Sequence, residues 1–98
     1  VYTVRRTAQF ADWLDGLRDR ITRARLIRRL EKAQAGHLGD VKLVGEGVYE
    51  MREFFGSGWR MYYVQRGASL IVMLGGGDKS TQHADIEAAQ ALAATLKE

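Results

Sequence analysis

The sequence predicts an α+β fold: a helical hairpin, then a meander of antiparallel strands, then one closing helix. Three observations predict it. Apolar residues recur at helical spacing from Phe10 to Ala33, at strand spacing from Val41 to Leu74, and at helical spacing again from Ile86 to Leu96. Short glycine-containing breaks divide the middle stretch. No linker, repeat or shift of composition interrupts the 98 residues, so residues 1–98 are expected to form one domain.

The elements follow in order. Val1–Arg6 (VYTVRR) alternates and carries β-formers, which predicts a short strand. Thr7 is placed to cap a helix from Ala8 to Leu17, with Phe10, Trp13, Leu14 and Leu17 on one side. A second helix fits Ile21–Ala35, ended by Gly36. On it Leu26, Ile27, Leu30 and Ala33 share an apolar face, while Arg18, Arg25, Arg28, Arg29 and Lys32 gather opposite. Val41–Val44 is a short apolar run, and Val48–Phe55, Trp59–Gln65 and Ser69–Leu74 read as strands. The last of these is apolar on both faces and is expected inside the sheet. Gly75–Gly77 reads as a turn, with Ser80 or Thr81 as N-cap of the closing helix. Ile86, Ala89, Ala93 and Leu96 form its core stripe.

Alternation sorts the strand residues. Tyr49, Met51 and Phe55 fall on one face with Trp59, Met61 and Tyr63; Glu50 and Arg52 fall on the other with Arg60, Tyr62 and Val64. The helices are expected on the first face. The second is expected to form an open, concave surface carrying Glu50, Arg52, Arg60 and Tyr62.

Composition narrows the chemistry. With no cysteine there are no disulfides, thiolate metal sites or cysteine nucleophiles. His37 and His83 lack ligand partners at a familiar spacing, so no metal is expected, and no dinucleotide or phosphate-loop motif predicts a cofactor. No apolar run approaches the length needed to span a bilayer. The net charge of +3 is unevenly spread. Ten Lys/Arg stand against five Asp/Glu up to Val44, and five against seven from Gly45 onward. Such a basic half attracts polyanions, or is a solvated helix face.

Charged residues inside apolar strands carry the functional signal. Arg52 and Arg60 sit mid-strand, where an unpaired arginine costs desolvation. A cross-strand pair with Glu50 or Glu53 is the competing reading of either arginine alone. Both together, with Lys79 after the next strand, place cations from consecutive segments on one patch suited to phosphate. Tyr62 points with Arg60 and suits base stacking or a phosphate contact. Glu50 is a candidate general base and His83 a candidate in the first turn of the last helix; an ion pair with Arg52 and an exposed helix position are the respective alternatives. Tyr49, Tyr63 and Trp59 are expected to be packing residues.

Three stretches together, GHLGDVKLVGEGVYEMR (Gly36–Arg52), GSGWRMYYV (Gly56–Val64) and LGGGDKSTQHADI (Leu74–Ile86), resemble the HigB-like, phage-derived killer proteins of the RelE/ParE toxin superfamily. FADWLDGLRDRITRARLIRRLEKAQAG (Phe10–Gly36) fits the same pattern, so the resemblance covers nearly the whole chain. It implies the compact α+β fold shared with small microbial ribonucleases. It implies the toxin of a type II toxin–antitoxin module, an endoribonuclease that cuts messenger RNA in the ribosomal A site without a metal. The ribose 2′-hydroxyl attacks the adjacent phosphate and leaves a 2′,3′-cyclic phosphate and a 5′-hydroxyl. By the resemblance Arg60 and Arg52 stabilise the transition-state phosphate. Lys79 contacts the phosphate or protonates the leaving oxygen, and the basic helix face rests on ribosomal RNA. The implied partner is a helix-turn-helix antitoxin, and the implied compartment the cytoplasm. Where relatives carry a tyrosine or a histidine pair near the last helix, this chain has Gln82, His83 and Asp85. The superfamily also contains gyrase inhibitors, and a non-enzymatic module binding nucleic acid or protein through the basic helix is the third reading.

Overall fold

The computed structural model describes residues 1–96; Lys97 and Glu98 of the expected domain lie outside the described residues. Five strands, β1 (Thr3–Arg6), β2 (Val41–Leu43), β3 (Val48–Arg52), β4 (Arg60–Arg66) and β5 (Leu70–Gly77), form one sheet in the order β1-β5-β4-β3-β2. The helices are α1 (Ala8–Asp15), α2 (Arg20–Gln34) and α3 (Gln82–Thr95). The α+β expectation holds, and the arrangement is consistent with a RelE-like fold. Strands β2 to β5 pair antiparallel in sequence order, whereas β1 pairs parallel with β5. β5 is thus an inner strand, as its two apolar faces require. Among the described residues no helix is long and apolar enough to cross a membrane.

Local chemistry sets the element ends. The Thr7 hydroxyl accepts from the Phe10 amide at 3.2 Å and starts α1. It also donates to the Met73 carbonyl at 2.8 Å, which ties α1 to β5. Asp19 caps α2 through the Ile21 amide at 3.0 Å. Beyond Ala35 the chain turns at Gly36, with φ +101°, a conformation that strongly favours glycine. Asp78, rather than Ser80 or Thr81, supplies the side-chain cap for the 3-10 turn Lys79–Thr81 that leads into α3. Thr81 occupies the N-cap position of α3 without a side-chain bond.

Helices cover both faces of the sheet, which corrects the expected open face. On one side Phe10, Leu14, Leu26, Leu30 and Ala33 bury Met51, Met61, Tyr63, Ile71 and Met73. Trp13 and Trp59 close that core, and Tyr49 stacks on Tyr63 with ring centres 5.3 Å apart. On the other side Ala89 and Ala93 of α3 press onto Val48, Tyr62, Val64, Val72 and Leu74. Small residues let the helix approach closely enough to seal this face. Burying one large apolar side chain contributes roughly 1.5–3 kcal/mol, so each layer matters to a chain this short.

The glycine triplet continues β5 instead of turning, a second correction. Gly75, Gly76 and Gly77 pair with Tyr62, Met61 and Arg60. The register slips between Tyr62 and Tyr63, leaving Leu74 as the extra residue of a bulge. A Cβ on Gly76 would stand 2.4 Å from the Trp13 ring, and one on Gly77 would stand 1.9 Å from the Asp85 carboxylate. A Cβ on Gly75 would meet nothing within 4 Å. Gly76→Ala is therefore expected to cost about 1–3 kcal/mol by displacing Trp13. Gly75→Ala should stay within about 0.5 kcal/mol of the parent. Urea unfolding of the two variants checks this contrast.

Candidate functional site

With both sheet faces covered, the charged residues collect where β3 ends and β4 begins. Arg52 closes β3, Arg60 opens β4, and the two are directly opposed in register. Like charges in that position destabilise an antiparallel pair. Each is answered separately. Arg52 Nη2 lies 3.0 Å from Asp40 Oδ1 at the protein surface. Arg60 is 7% exposed, and its Nε lies 3.9 Å from Glu50 Oε1. Its Nη1 donates to the carbonyls of Glu53 and Trp59 at 3.3 and 3.4 Å. Even so, Nε of both arginines is buried with no hydrogen-bond partner among the described residues. A buried donor left unpaired costs about 1–3 kcal/mol.

Glu50 and Tyr62 lie beneath this pair, because α3 covers the face expected to be open. Glu50 is 1% exposed. Its Oε2 accepts from the Tyr62 hydroxyl at 3.0 Å and from Gln82 Nε2 at 2.9 Å. The carboxylate expected to act as a base at the surface is instead a buried counter-charge for Arg60. Tyr62 is fully buried and cannot stack on a base. Burial, reinforced by the Glu50 carboxylate, pushes its phenol well above the ordinary tyrosine range, so it remains a donor. Gln82, which holds Glu50 from α3, was visible in the sequence only as a departure from the relatives.

Lys79 comes to the same end of the sheet. The glycine loop Gly56–Gly58 docks on the turn before α3: the Lys79 amide donates to the Ser57 carbonyl at 3.3 Å, and Ser57 Oγ to Asp78 at 2.9 Å. The Ser80 hydroxyl, then that of Ser57, holds the Asp78 carboxyl below its usual range. A Cβ on Gly58 would lie 3.4 Å from Lys79 Cβ and 3.8 Å from Arg60 Nη1, so the two cationic side chains flank one point. The Lys79 side chain is exposed. His83 does not join them; its side chain is 91% exposed and lies 3.6 Å from Glu87 along α3.

The basic helix face divides. Arg25, Arg28 and Lys32 are exposed and line a groove of about 250 Å³ with Arg29 and Glu53. Arg25 stacks on Phe55, with Cζ 3.9 Å from the ring centre. Arg18 is exposed in the α1–α2 connection, not on α2. Arg29 is the correction. It is 8% exposed, and its guanidinium donates to the carbonyls of Leu38, Asp40 and Arg52 and pairs with Glu53. It clamps α2 to the end of β3. Gly39 leaves room for it, since a Cβ there would stand 2.9 Å from Nη2. A helical wheel sorts residues by charge and cannot show how many carbonyls wait within reach.

Phe54 was missed. The sequence reading ran the strand on to Phe55, whereas the strand stops at Arg52 and leaves Phe54 73% exposed in the loop. Arg52 Cζ and Arg60 Cζ lie 5.8 and 5.9 Å from its ring centre. The available signal was an aromatic side chain on the charged face of the alternation. The arrangement presents the Arg52 guanidinium, a lysine and an exposed ring to solvent, with the Arg60 guanidinium buried behind them, and suits an anion better than a cation.

Comparisons add one family and one relative. The family described as phage-derived protein Gp49-like matches residues 12–97. An uncharacterized protein of Haemophilus influenzae is 38% identical over 93 residues, spanning 95% of this chain and 94% of that protein. No solved structure gives a significant match.

The different settings of Arg29 and Arg28 give a direct contrast. Arg29→Ala should cost about 3 kcal/mol, because it leaves three carbonyls and the Glu53 carboxylate without their donor. Arg28→Ala, on the exposed face, should change stability by less than about 0.5 kcal/mol. Chemical denaturation of both variants distinguishes clamp from surface charge.

Proposed function

The chain belongs to the Gp49-like family of phage-derived proteins, which is associated with toxin–antitoxin modules, and on that basis we propose that it is a toxin that cuts messenger RNA in the ribosomal A site. In this reading it falls in the HigB-like branch of the RelE/ParE superfamily, as one domain over residues 1–98, and acts in the cytoplasm. The observation that carries it is the opposed pair Arg52 and Arg60, neither of whose Nε atoms makes a hydrogen bond among the described residues, beside Lys79.

The chemistry follows from that pair. When a ribose 2′-hydroxyl attacks the adjacent phosphate, negative charge builds on the non-bridging oxygens of the pentavalent state. The new bond joins the 2′-oxygen to phosphorus as the 2′-hydroxyl proton passes to solvent water, and the bond to the 5′-oxygen breaks, leaving a cyclic phosphate and a 5′-hydroxyl once that oxygen is protonated. Guanidiniums fixed before the reaction stabilise this charge without reorganising during it. Arg52 and Arg60 take that role, with Glu50 holding Arg60 from below. Lys79 at the rim contacts the phosphate or donates the proton to the leaving oxygen. The exposed cations Arg18, Arg25, Arg28 and Lys32 supply a surface for ribosomal RNA. An antitoxin is the partner that the family context provides, and a helix-turn-helix protein is its proposed form.

A second reading, inhibition of DNA gyrase on the same fold, is favoured by one observation. Glu50 is sealed beneath the arginines and His83 faces away, so neither candidate base meets a bound hydroxyl. A protein that only grips its target needs no proton acceptor.

Arg60→Ala is a poor test alone, because it strands the buried Glu50 and should cost about 3 kcal/mol. Arg52 and Lys79 are better placed. Arg52→Ala should lower message cleavage about 100-fold and relieve growth arrest while stability changes by less than about 1 kcal/mol. Lys79→Ala should weaken it in the same direction. Undiminished growth arrest by folded Arg52→Ala, or DNA breaks with intact messages, would turn the assignment toward gyrase.

A further inference from the structure

The same end of the sheet presents a feature that phosphate binding does not explain. Val1, Ile21, Leu43 and Phe54 are the large apolar side chains exposed among the described residues, and Phe54 alone of these is aromatic. It stands beside both guanidiniums whose Nε atoms make no hydrogen bond among the described residues. The ring buries little apolar surface, and its contact with the fold is the cation–π attraction of the two arginines. Its backbone is nevertheless held on both sides. The Glu53 amide donates to the Trp59 carbonyl at 2.9 Å, and the Glu53 carboxylate pairs with Arg29. Phe55 packs against the main core and lies under Arg25, and the Gly58 amide closes the loop on the Phe55 carbonyl at 3.1 Å. The ring is thus presented from a fixed loop, which lowers the ordering cost of a ligand that meets it.

A fixed, exposed ring beside a phosphate-binding pair matches the two parts of a nucleotide. We propose that Phe54 is a stacking platform for an unpaired nucleobase next to the phosphate held by Arg52 and Arg60. The inference rests on the reading of the arginine pair as a phosphate site, and it identifies the ligand as single-stranded nucleic acid rather than an isolated anion. Every base has a π face, so the platform accepts any base and favours the larger purines. Duplex is excluded, because its bases are already stacked and shielded. The arginines add cation–π attraction to the ring and hold it near the phosphate.

Binding of a single-stranded RNA hexamer with 2′-O-methyl sugars, which cannot be cut by 2′-hydroxyl attack, tests this on the isolated protein by fluorescence anisotropy. The same hexamer carrying abasic central positions is run beside it. Phe54→Ala should weaken binding of the intact hexamer at least about 10-fold, and Phe54→Trp should retain it. The abasic hexamer should bind weakly to the parent and show no further loss in Phe54→Ala. Arg52→Ala should weaken both ligands. Equal binding of the two hexamers, an unchanged Phe54→Ala, or no binding of the intact hexamer overturns the platform. So does release of an antitoxin or gyrase subunit by Phe54→Ala with hexamer binding untouched. Ribosome-dependent cleavage that ignores Phe54→Ala but needs Arg52 removes the platform and leaves the nuclease reading. Base-dependent hexamer binding without any cleavage does the reverse.

Discussion

Two like charges set directly opposite each other govern this molecule. The pairing of β3 with β4 leaves Arg52 facing Arg60, and the sheet cannot relax that opposition without losing register. The surroundings answer it from three directions. Asp40 meets Arg52 at the surface, Glu50 meets Arg60 from within, and Arg29 pins the Arg52 carbonyl and Glu53 from α2. Glu50 comes only to 3.9 Å of the Arg60 Nε, and neither Nε makes a hydrogen bond among the described residues. In the proposed function a bound phosphate supplies the negative charge that this end of the sheet still lacks.

The layered core explains why the site sits at an end and not on a face. Helix α3 seals the side of the sheet that carries Glu50 and Tyr62, and the helical hairpin seals the other. Burial of Glu50 is tolerable because Tyr62 and Gln82 both donate to it and Arg60 supplies a charge nearby. The glycines at the end of β5 make this packing possible by admitting Trp13 on one side and Asp85 on the other. The same segment runs on to the turn that delivers Lys79 to the arginines. Core packing and cation placement therefore depend on the same few residues.

Much of this was legible in the sequence. Alternation along Val48–Phe55 and Trp59–Gln65 was enough to put Arg52 and Arg60 on one face, and helical spacing found both helices of the hairpin and the Ala89–Ala93 stripe. Period-two alternation cannot say whether a polar face is open, so Glu50 and Tyr62 were expected at the surface that α3 in fact covers. Nor can charge reveal a clamp: Arg29 looks like its neighbours until the carbonyls of Leu38, Asp40 and Arg52 are in place. The triple glycine mimics a turn because glycine serves both turns and close packing, and only the Trp13 ring and the Asp85 carboxylate decide between them. Parallel pairing of β1 with β5 leaves no local trace, since the partners are separated by almost the whole chain.

In the proposed function the opposed arginines hold a scissile RNA phosphate presented by the ribosome. Mapping RNA 5′ ends on a defined message, programmed on ribosomes with an empty A site and incubated with the protein, tests it most directly. New 5′-hydroxyl ends confined to the A-site codon are the expected result. An intact message on ribosomes, and in naked RNA run alongside, would contradict it.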